Sequence, residues 1–388
     1  MKSRPCAVLL LLASFTASRS WSLDGARLGP LVPAGLSLGT LQWDQKRAFA
    51  IDAHGQRHRL TLDHDLQTAV MAQLRRARAR HAAAVLLSVN DGRVLAAAET
   101  PLANHSESML WSAVTPSASL FKLITTTALI ERGKLQPDHR VCSEGGEHRL
   151  ELQHLTAPTA GRVVCANFSE ILASSRNASY ARLVHSHLTA EDLGNFADRF
   201  GFNAPLWADV NAELGRFHVA NDPLTVARTA TGFVGSSLSV LGASYIGYVI
   251  AKGGIASSIR FFDDEPESVE MVAEGTPAPS SASVAIDARH AAPSRVMTSL
   301  TATRLRDMME RVVNYGTAAD AFRDASSKPL LPHVRIAGKT GTLGRSEGTA
   351  SWFIGFAPSR DPKLVIAVLL DNGALWHVTA KRVAAAIL

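Results

Sequence analysis

Ala84-Val-Leu-Leu-Ser-Val89 and Arg93-Val-Leu-Ala-Ala-Ala98 are two apolar, β-rich runs separated by Asn90-Asp-Gly92. An Asp-Gly step between such runs predicts a β-hairpin, because glycine accepts the positive φ that a tight turn needs. Just upstream, Leu66, Ala69, Val70 and Leu74 recur at helical spacing with arginines elsewhere, which predicts a helix over 65–80. Before that, residues 21–58 are mixed and broken by Gly29-Pro30, Pro33 and Gly35, and nothing there suggests chemistry. Downstream, 119–132 reads as an apolar helix ending at Gly133. Residues 167–200 read as two or more helices, 223–253 as more of the same, and 301–315 as another. Residues 257–294 are rich in Ser, Pro, Asp and Glu and read as a surface excursion. Three β-like runs follow, Val334 to Gly338, Ser351 to Ala357 and Leu364 to Leu370, and 377–388 closes the chain as a helix. Strands at both ends with helices between them predict an α+β fold, in which the two ends of the chain meet in one sheet.

The bulk properties narrow the function. The chain has 388 residues, of which 46% are hydrophobic and 19% charged. That is too apolar for a disordered chain and long enough for a large core. The apolar runs, such as Ala7 to Ala13, are far short of the roughly 20 residues that cross a bilayer, which excludes a polytopic membrane protein. The formal charge is +6, and half of it comes from Lys2, Arg4 and Arg19, in a stretch without an acid. A charge this mild and scattered excludes a nucleic-acid protein, which concentrates its cations on one face.

The first twenty residues have the order of a secretory signal: the basic start Met1-Lys-Ser-Arg-Pro-Cys6, the apolar Ala7 to Phe15, then the small residues Thr16-Ala-Ser18. Export to a periplasmic or extracellular location is therefore expected, and an uncleaved signal would leave a weak anchor at the membrane surface. Cys6 has the wrong flanks for lipidation and belongs to the signal. Cys142 and Cys165 are left as an even pair. In an oxidising compartment such a pair bridges, whereas in the cytosol it would be two unrelated buried thiols; spacing alone does not decide, because it does not fix geometry.

Three short motifs carry chemistry. Ser119-Leu-Phe-Lys122 puts a hydroxyl and an amine on one face at the start of a helix. A serine is a poor nucleophile unless a neighbour takes its proton, and a lysine does so only when burial or another cation lowers its pKa. Alone, the motif is more simply a helix-start serine beside a solvated lysine, since about one such pair arises by chance in a chain this long. Lys339-Thr-Gly-Thr342 follows a β run and offers a cation and two hydroxyls suited to a carboxylate, with a glycine that lets a ligand approach the backbone. Ser175-Arg-Asn177 offers a hydroxyl for proton relay and a carboxamide for a peptide group, and is common by itself. No zinc-ligand spacing, phosphate loop or dinucleotide fingerprint is present, so neither a metal nor a cofactor is expected. His185-Ser-His187 lacks a third ligand and reads as a solvated helix face, and Trp111 as a packing residue.

The order of the three motifs, at 119, 175 and 339, is the three-part signature of serine acyltransferases that react with penicillin. The chain resembles the transpeptidase domain of penicillin-binding proteins. Thr61-Leu-Asp-His-Asp-Leu-Gln67, Ile250-Ala-Lys-Gly-Gly254, Val312-Val-Asn-Tyr-Gly-Thr317 and Ser351-Trp-Phe-Ile-Gly-Phe-Ala-Pro358 look like stretches that recur in that family. The resemblance covers roughly 60–388. It divides the chain into a signal (1–20), a short N-terminal segment (21–59) and a transpeptidase domain (60–388). It implies an antiparallel sheet of about five strands flanked by helices, with a helical subdomain and the site between them.

The resemblance also implies roles. Ser119 attacks the D-alanyl-D-alanine end of a peptidoglycan stem peptide, Lys122 is the base, and Ser175 passes a proton to the leaving amine. Asn177 holds the acyl side-chain amide, and Lys339, Thr340, Gly341 and Thr342 form the carboxylate-binding strand. The backbone N–H groups of Ser119 and Thr342 form the oxyanion hole, and β-lactams are inhibitors. A D,D-carboxypeptidase, a β-lactamase and a non-catalytic wall-binding relative are the alternatives. Two departures stand out: Leu120 replaces a smaller β-branched residue, and Ser117-Ala118 replaces a common Pro-Gly. The length leaves no room for a glycosyltransferase domain, and the family's long membrane helix and pedestal are missing.

Overall fold

The computed structural model describes residues 41–51, 57–100, 107–159, 161–204, 212–263, 293–346, 348–373 and 378–388. The signal at 1–20, the breakers at 29–35 and most of the excursion at 257–294 lie outside the described residues. The described α-helices, in chain order, are α1 (His64–Ala77), α2 (Lys122–Glu131), α3 (Phe168–Ser174), α4 (Asn177–His187), α5 (Ala190–Arg199), α6 (Pro223–Ala230), α7 (Val240–Ala251), α8 (Ser299–Asn314) and α9 (Ala380–Ile387).

The architecture is α+β, organised on a five-stranded antiparallel sheet. Its spatial order is Ala337–Arg345, Gly348–Ala357, Leu364–Asn372, His81–Ser88, Val94–Glu99. The last-formed strand therefore pairs with the first, with Ala367 opposite Val85, and the termini meet in the sheet as the sequence predicts. The hairpin between Ser88 and Val94 turns at Gly92, which takes a φ of +72°. Every residue of His81–Ser88 is buried. That is the signature of a strand covered on both faces, rather than one alternating between core and water.

The two covering layers follow from the helices' composition. α7, Val-Leu-Gly-Ala-Ser-Tyr-Ile-Gly-Tyr-Val-Ile-Ala, is apolar all round and buried from Val240 to Ile250, as expected of a helix with no solvent face. It lies so close to the neighbouring chain that a Cβ at Gly242 would sit 1.8 Å from the Leu214 carbonyl oxygen. α7 packs against the sheet on the side of Phe356 and Val365, and α9 on the other, where Ser351 Oγ accepts from the Ala380 N–H. α1 shares the α9 side; it starts at Asp63, whose carboxylate caps the Asp65 and Leu66 N–H groups. α8 runs beside the edge strand Ala337–Arg345 and reaches α2 and α3. Helices α2 to α6 make the helical subdomain above that edge.

Some elements differ from expectation. The segment before residue 60 contains an antiparallel three-stranded sheet, Gln42–Asp44, Arg47–Ile51 and Arg57–Asp63, and the last strand runs across position 59/60. Thr61 in that strand donates to the Val94 carbonyl at 2.8 Å and ties this sheet to the central one. The edge strand begins at Ala337, so Lys339-Thr-Gly-Thr342 lies within it instead of after it. Between α6 and α7, Ser236–Leu238 is a short strand. Cys142 and Cys165 are directly opposite in the strand pair Arg140–Glu144 and Val163–Asn167, and their sulfurs are bonded.

Candidate active site

Ser119 stands in a single 3-10 turn, Ala118–Leu120, that leads into α2. The turn is entered through a left-handed residue, Ala118 with φ +47°, a conformation that costs an L-residue roughly 1–2 kcal/mol. Its surroundings hold it there. Ser117 is fully buried, its Oγ is 2.6 Å from Ser236 Oγ, and its N–H donates to the Ser236 carbonyl. Gly232 packs so tightly beneath the turn that a Cβ there would lie 1.8 Å from the Ala118 carbonyl oxygen. Strain kept in place by packing is typical of reacting positions. Ser175 repeats it, ending α3 with φ +57°.

The three motifs converge. Lys122 is fully buried at the first turn of α2, and its Nζ lies 3.1 Å from Ser119 Oγ, 2.8 Å from the Ser175 carbonyl oxygen and 3.1 Å from Ser175 Oγ. It also donates to Asn177 Oδ1. Lys339, equally buried, donates from the facing strand to Ser175 Oγ at 3.0 Å and to the Thr340 carbonyl at 2.7 Å. One serine oxygen thus links two ammonium groups that share no countercharge among these contacts. Asn177 is fixed from its other end, its Nδ2 donating to the Glu147 carbonyl at 2.5 Å.

This arrangement sets the protonation states. Burial pushes Lys122 well below the ordinary amine range, and the charge on Lys339 pushes it further. Burial alone lowers Lys339 to about 7. Removing a lysine from water penalises its charged form, and a second cation adds to that penalty. The ring of Tyr180 lies 5.4 Å from Lys122 Nζ and partly offsets it by a cation–π contact. A neutral Lys122 can take a proton from Ser119; a charged Lys339 can attract an anion.

Gly341 accounts for how the edge strand and the Ser119 turn come together. A Cβ there would lie 3.3 Å from Ala118 Cβ, 3.3 Å from Trp352 Cβ and 3.4 Å from Leu120 Cγ. Next to it opens a cleft of about 280 Å³, lined by Ser119, Ser175, Thr340 and Thr342, and on its far side by Thr317, Ser351, Trp352, Thr379 and Lys381. Thr340 Oγ1 is 2.5 Å from Thr317 Oγ1. All of Ser119, Lys122, Ser175, Asn177, Lys339, Thr340, Gly341 and Thr342 thus belong to one site. The far-side residues were not singled out from sequence. Thr317, Ser351 and Trp352 fall in stretches that resemble the family, whereas Thr379 and Lys381 carry no local signal. Trp111 packs edge-on against Phe261, with ring centroids 5.3 Å apart, and does not line the cleft. His185 and His187 are exposed, and no metal-binding cluster occurs among the described residues.

A family profile described as "Penicillin binding protein transpeptidase domain" matches residues 82–388. "Stage V sporulation protein D" of Bacillus subtilis is 24% identical over 341 residues, covering 81% of this chain and 49% of that one. "Peptidoglycan D,D-transpeptidase PbpA" of Mycobacterium tuberculosis is 25% identical over 284 residues, covering 71% and 52%. The chain spans about half the length of these curated relatives. Among solved structures, the D,D-transpeptidase domain of a peptidoglycan glycosyltransferase from Eggerthella lenta aligns with a TM-score of 0.64 at 19% identity, over 88% of this chain and 94% of that one. The ceftriaxone acyl-enzyme complex of penicillin-binding protein A from M. tuberculosis aligns with a TM-score of 0.63 at 18% identity, over 88% and 79%. The structural likeness speaks for the fold, and the profile, which spans most of the chain, for the family: this chain belongs to the penicillin-binding protein transpeptidase family.

Proposed function

We propose that the protein is an exported serine D,D-transpeptidase that acts on the D-Ala-D-Ala stem peptides of peptidoglycan through an acyl-enzyme and is acylated by β-lactams. The observation that carries this reading is the placement of Ser175 Oγ within 3.1 Å of Lys122 Nζ and 3.0 Å of Lys339 Nζ, while Lys122 also reaches Ser119 Oγ. In this reading neutral Lys122 takes the Ser119 proton as Oγ attacks the carbonyl of the penultimate D-Ala. The C–N bond then breaks, and the proton passes through Ser175 Oγ to the departing D-Ala amine. Lys339 with Thr340 and Thr342 holds the terminal carboxylate, and Asn177 the donor side-chain amide. The N–H groups of Ser119 and Thr342 receive the oxyanion; such donors contribute about 3 kcal/mol each. An acceptor amine completes cross-linking; water in its place makes a D,D-carboxypeptidase.

Among the described residues that line the cleft none is Asp or Glu. That favours a persistent adduct over β-lactamase turnover, which needs a base for its water. The disulfide fits an oxidising compartment, and no helix among the described residues is long and apolar enough to cross a membrane. Labelled penicillin tests the reading. A stable adduct on Ser119, lost in Ser119→Ala, is expected. Folded protein that takes no label would overturn the enzyme reading, and rapid antibiotic turnover would turn it into a β-lactamase.

A further inference from the structure

The far wall of the catalytic cleft comes from the first turn of α9, which follows the central strand Leu364–Asn372 and takes no part in the three motifs. Three features of that wall point to a ligand. Thr379 Oγ1 is buried and has no hydrogen-bond partner, although its residue lines the cleft; an orphaned buried hydroxyl is uncommon and calls for a group that completes it. Lys381 Nζ donates to the Thr317 carbonyl at 2.9 Å and to Asp320 Oδ1. An ammonium has three donors, so one remains, on a side chain only 19% exposed that faces the same cleft. The local charge is also unbalanced. Lys381 and Arg382 both pair with Asp320, one carboxylate against two cations, the Arg382 pair at 3.2 Å. A net positive charge therefore stands at the end of a cleft whose opposite wall includes Ser175, the hydroxyl that accepts from buried Lys339.

The cluster is linked to the carboxylate strand. Lys381 fixes the Thr317 backbone, and Thr317 Oγ1 lies 2.5 Å from Thr340 Oγ1. We propose that Lys381, with Thr317 and Thr379, is a second anion-recognising element of the cleft, which selects donor substrates that end in a free carboxylate. This rests on the transpeptidase reading for the identity of the ligand, and deepens it by naming a specificity determinant outside the signature motifs. The free donor of Lys381 and the hydroxyl of Thr379 receive one side of the carboxylate, and Thr340 and Thr342 the other. No bond is made or broken here; the element acts on affinity.

Binding can be read without turnover. In a Ser119→Ala background, calorimetry with an acetylated peptide ending in D-Ala-D-Ala, and with its C-terminal carboxamide, gives a carboxylate preference. Lys381→Met is expected to weaken the carboxylate peptide about 10-fold, the scale of one charge-assisted hydrogen bond, and to leave the carboxamide within about twofold. Lys381→Arg restores most of the preference, because it keeps the charge. Asp320→Asn, which frees the cations, tightens the carboxylate peptide about threefold. Equal losses on both peptides would make Lys381 merely structural, and an unchanged preference in both Lys381→Met and Asp320→Asn would overturn the proposal. Failure of wild-type protein to accept labelled penicillin speaks instead against the enzyme reading, and leaves this binding measurement able to decide by itself; if neither peptide binds, the proposal falls.

Discussion

At the scale of single residues, the site buries two lysines against one serine hydroxyl. In the proposed reaction Lys122 is neutral when it takes a proton and Lys339 is charged when it attracts a carboxylate, so activity falls once Lys339 loses its charge. Lys339 titrates at about 7. Its charge is lost as pH rises through that value, and with it both the attraction for the anion and part of the pressure that keeps Lys122 neutral. The second-order rate of acylation by a β-lactam reports the free enzyme, and it is expected to fall on the alkaline side with a midpoint near pH 7. Lys339→Arg, charged at every accessible pH, should be slower below pH 7 but lose that alkaline limb; the same limb in both proteins would reassign it. Stability has the opposite sign. The folded value of about 7 lies below the ordinary 10.5, so the unfolded chain binds more protons between these limits and stability rises with pH across that window, by up to about 1.4 kcal/mol per pH unit. Urea midpoints between pH 7.5 and 9.5 should therefore climb more steeply in wild type than in Lys339→Met.

At the scale of elements, the proposed site depends on how close the edge strand Ala337–Arg345 comes to the Ser119 turn. Gly341 sets that distance, since an added methyl meets Ala118 and Trp352 at 3.3 Å. Gly341→Ala should push the strand back by a few tenths of an ångström and slow acylation about tenfold, given that misplacements of 1 Å cost roughly 100-fold. Gly344→Ala in the same strand meets nothing within 4 Å and should leave acylation unchanged; equal rates for the two variants would show that the approach does not matter. The strand is also where sequence and structure part company. Lys339-Thr-Gly-Thr342 was legible as part of the site, because its chemistry lies in adjacent residues. The Asn90-Asp-Gly92 turn was legible because only local φ decides it. The three short strands of 42–63 were not, since Leu60, Thr61 and Leu62 are buried by partners about 30 and 200 residues away, such as Val94 and Phe261. Thr379 and Lys381 were silent for the same reason: their place in the cleft is set by the fold of α9 against the sheet and by no spacing to Ser119.

At the scale of the whole molecule, the sheet joins the two ends of the chain, and the helical subdomain that carries Ser175 and Asn177 must be held against it. Part of that restraint is the hairpin Arg140–Glu144 and Val163–Asn167. Asn167 caps α3, Ser143 Oγ is 2.7 Å from Ser179 Oγ in α4, and the Cys142 carbonyl accepts from Arg182 Nη1 at 2.6 Å. The Cys142–Cys165 bond closes this hairpin over 23 residues of chain. Closing a loop of that size in the unfolded state is worth about 3 kcal/mol. Spread over the unfolding entropy of the 388-residue chain, that corresponds to about 4 °C in melting temperature. Treatment with dithiothreitol, or the Cys142→Ser/Cys165→Ser double substitution, should lower the melting temperature by that amount. Because Asn177 is fixed by the Glu147 carbonyl within the stapled loop, reduction should also cut acylation several-fold at a temperature where the protein remains folded. Circular dichroism melts and labelled-penicillin rates measured on the same samples separate the two effects. A reduced protein that melts unchanged would mean that the hairpin is held by its hydrogen bonds alone. One that melts lower yet acylates at the wild-type rate would confine the disulfide to stability and free Asn177 from its control.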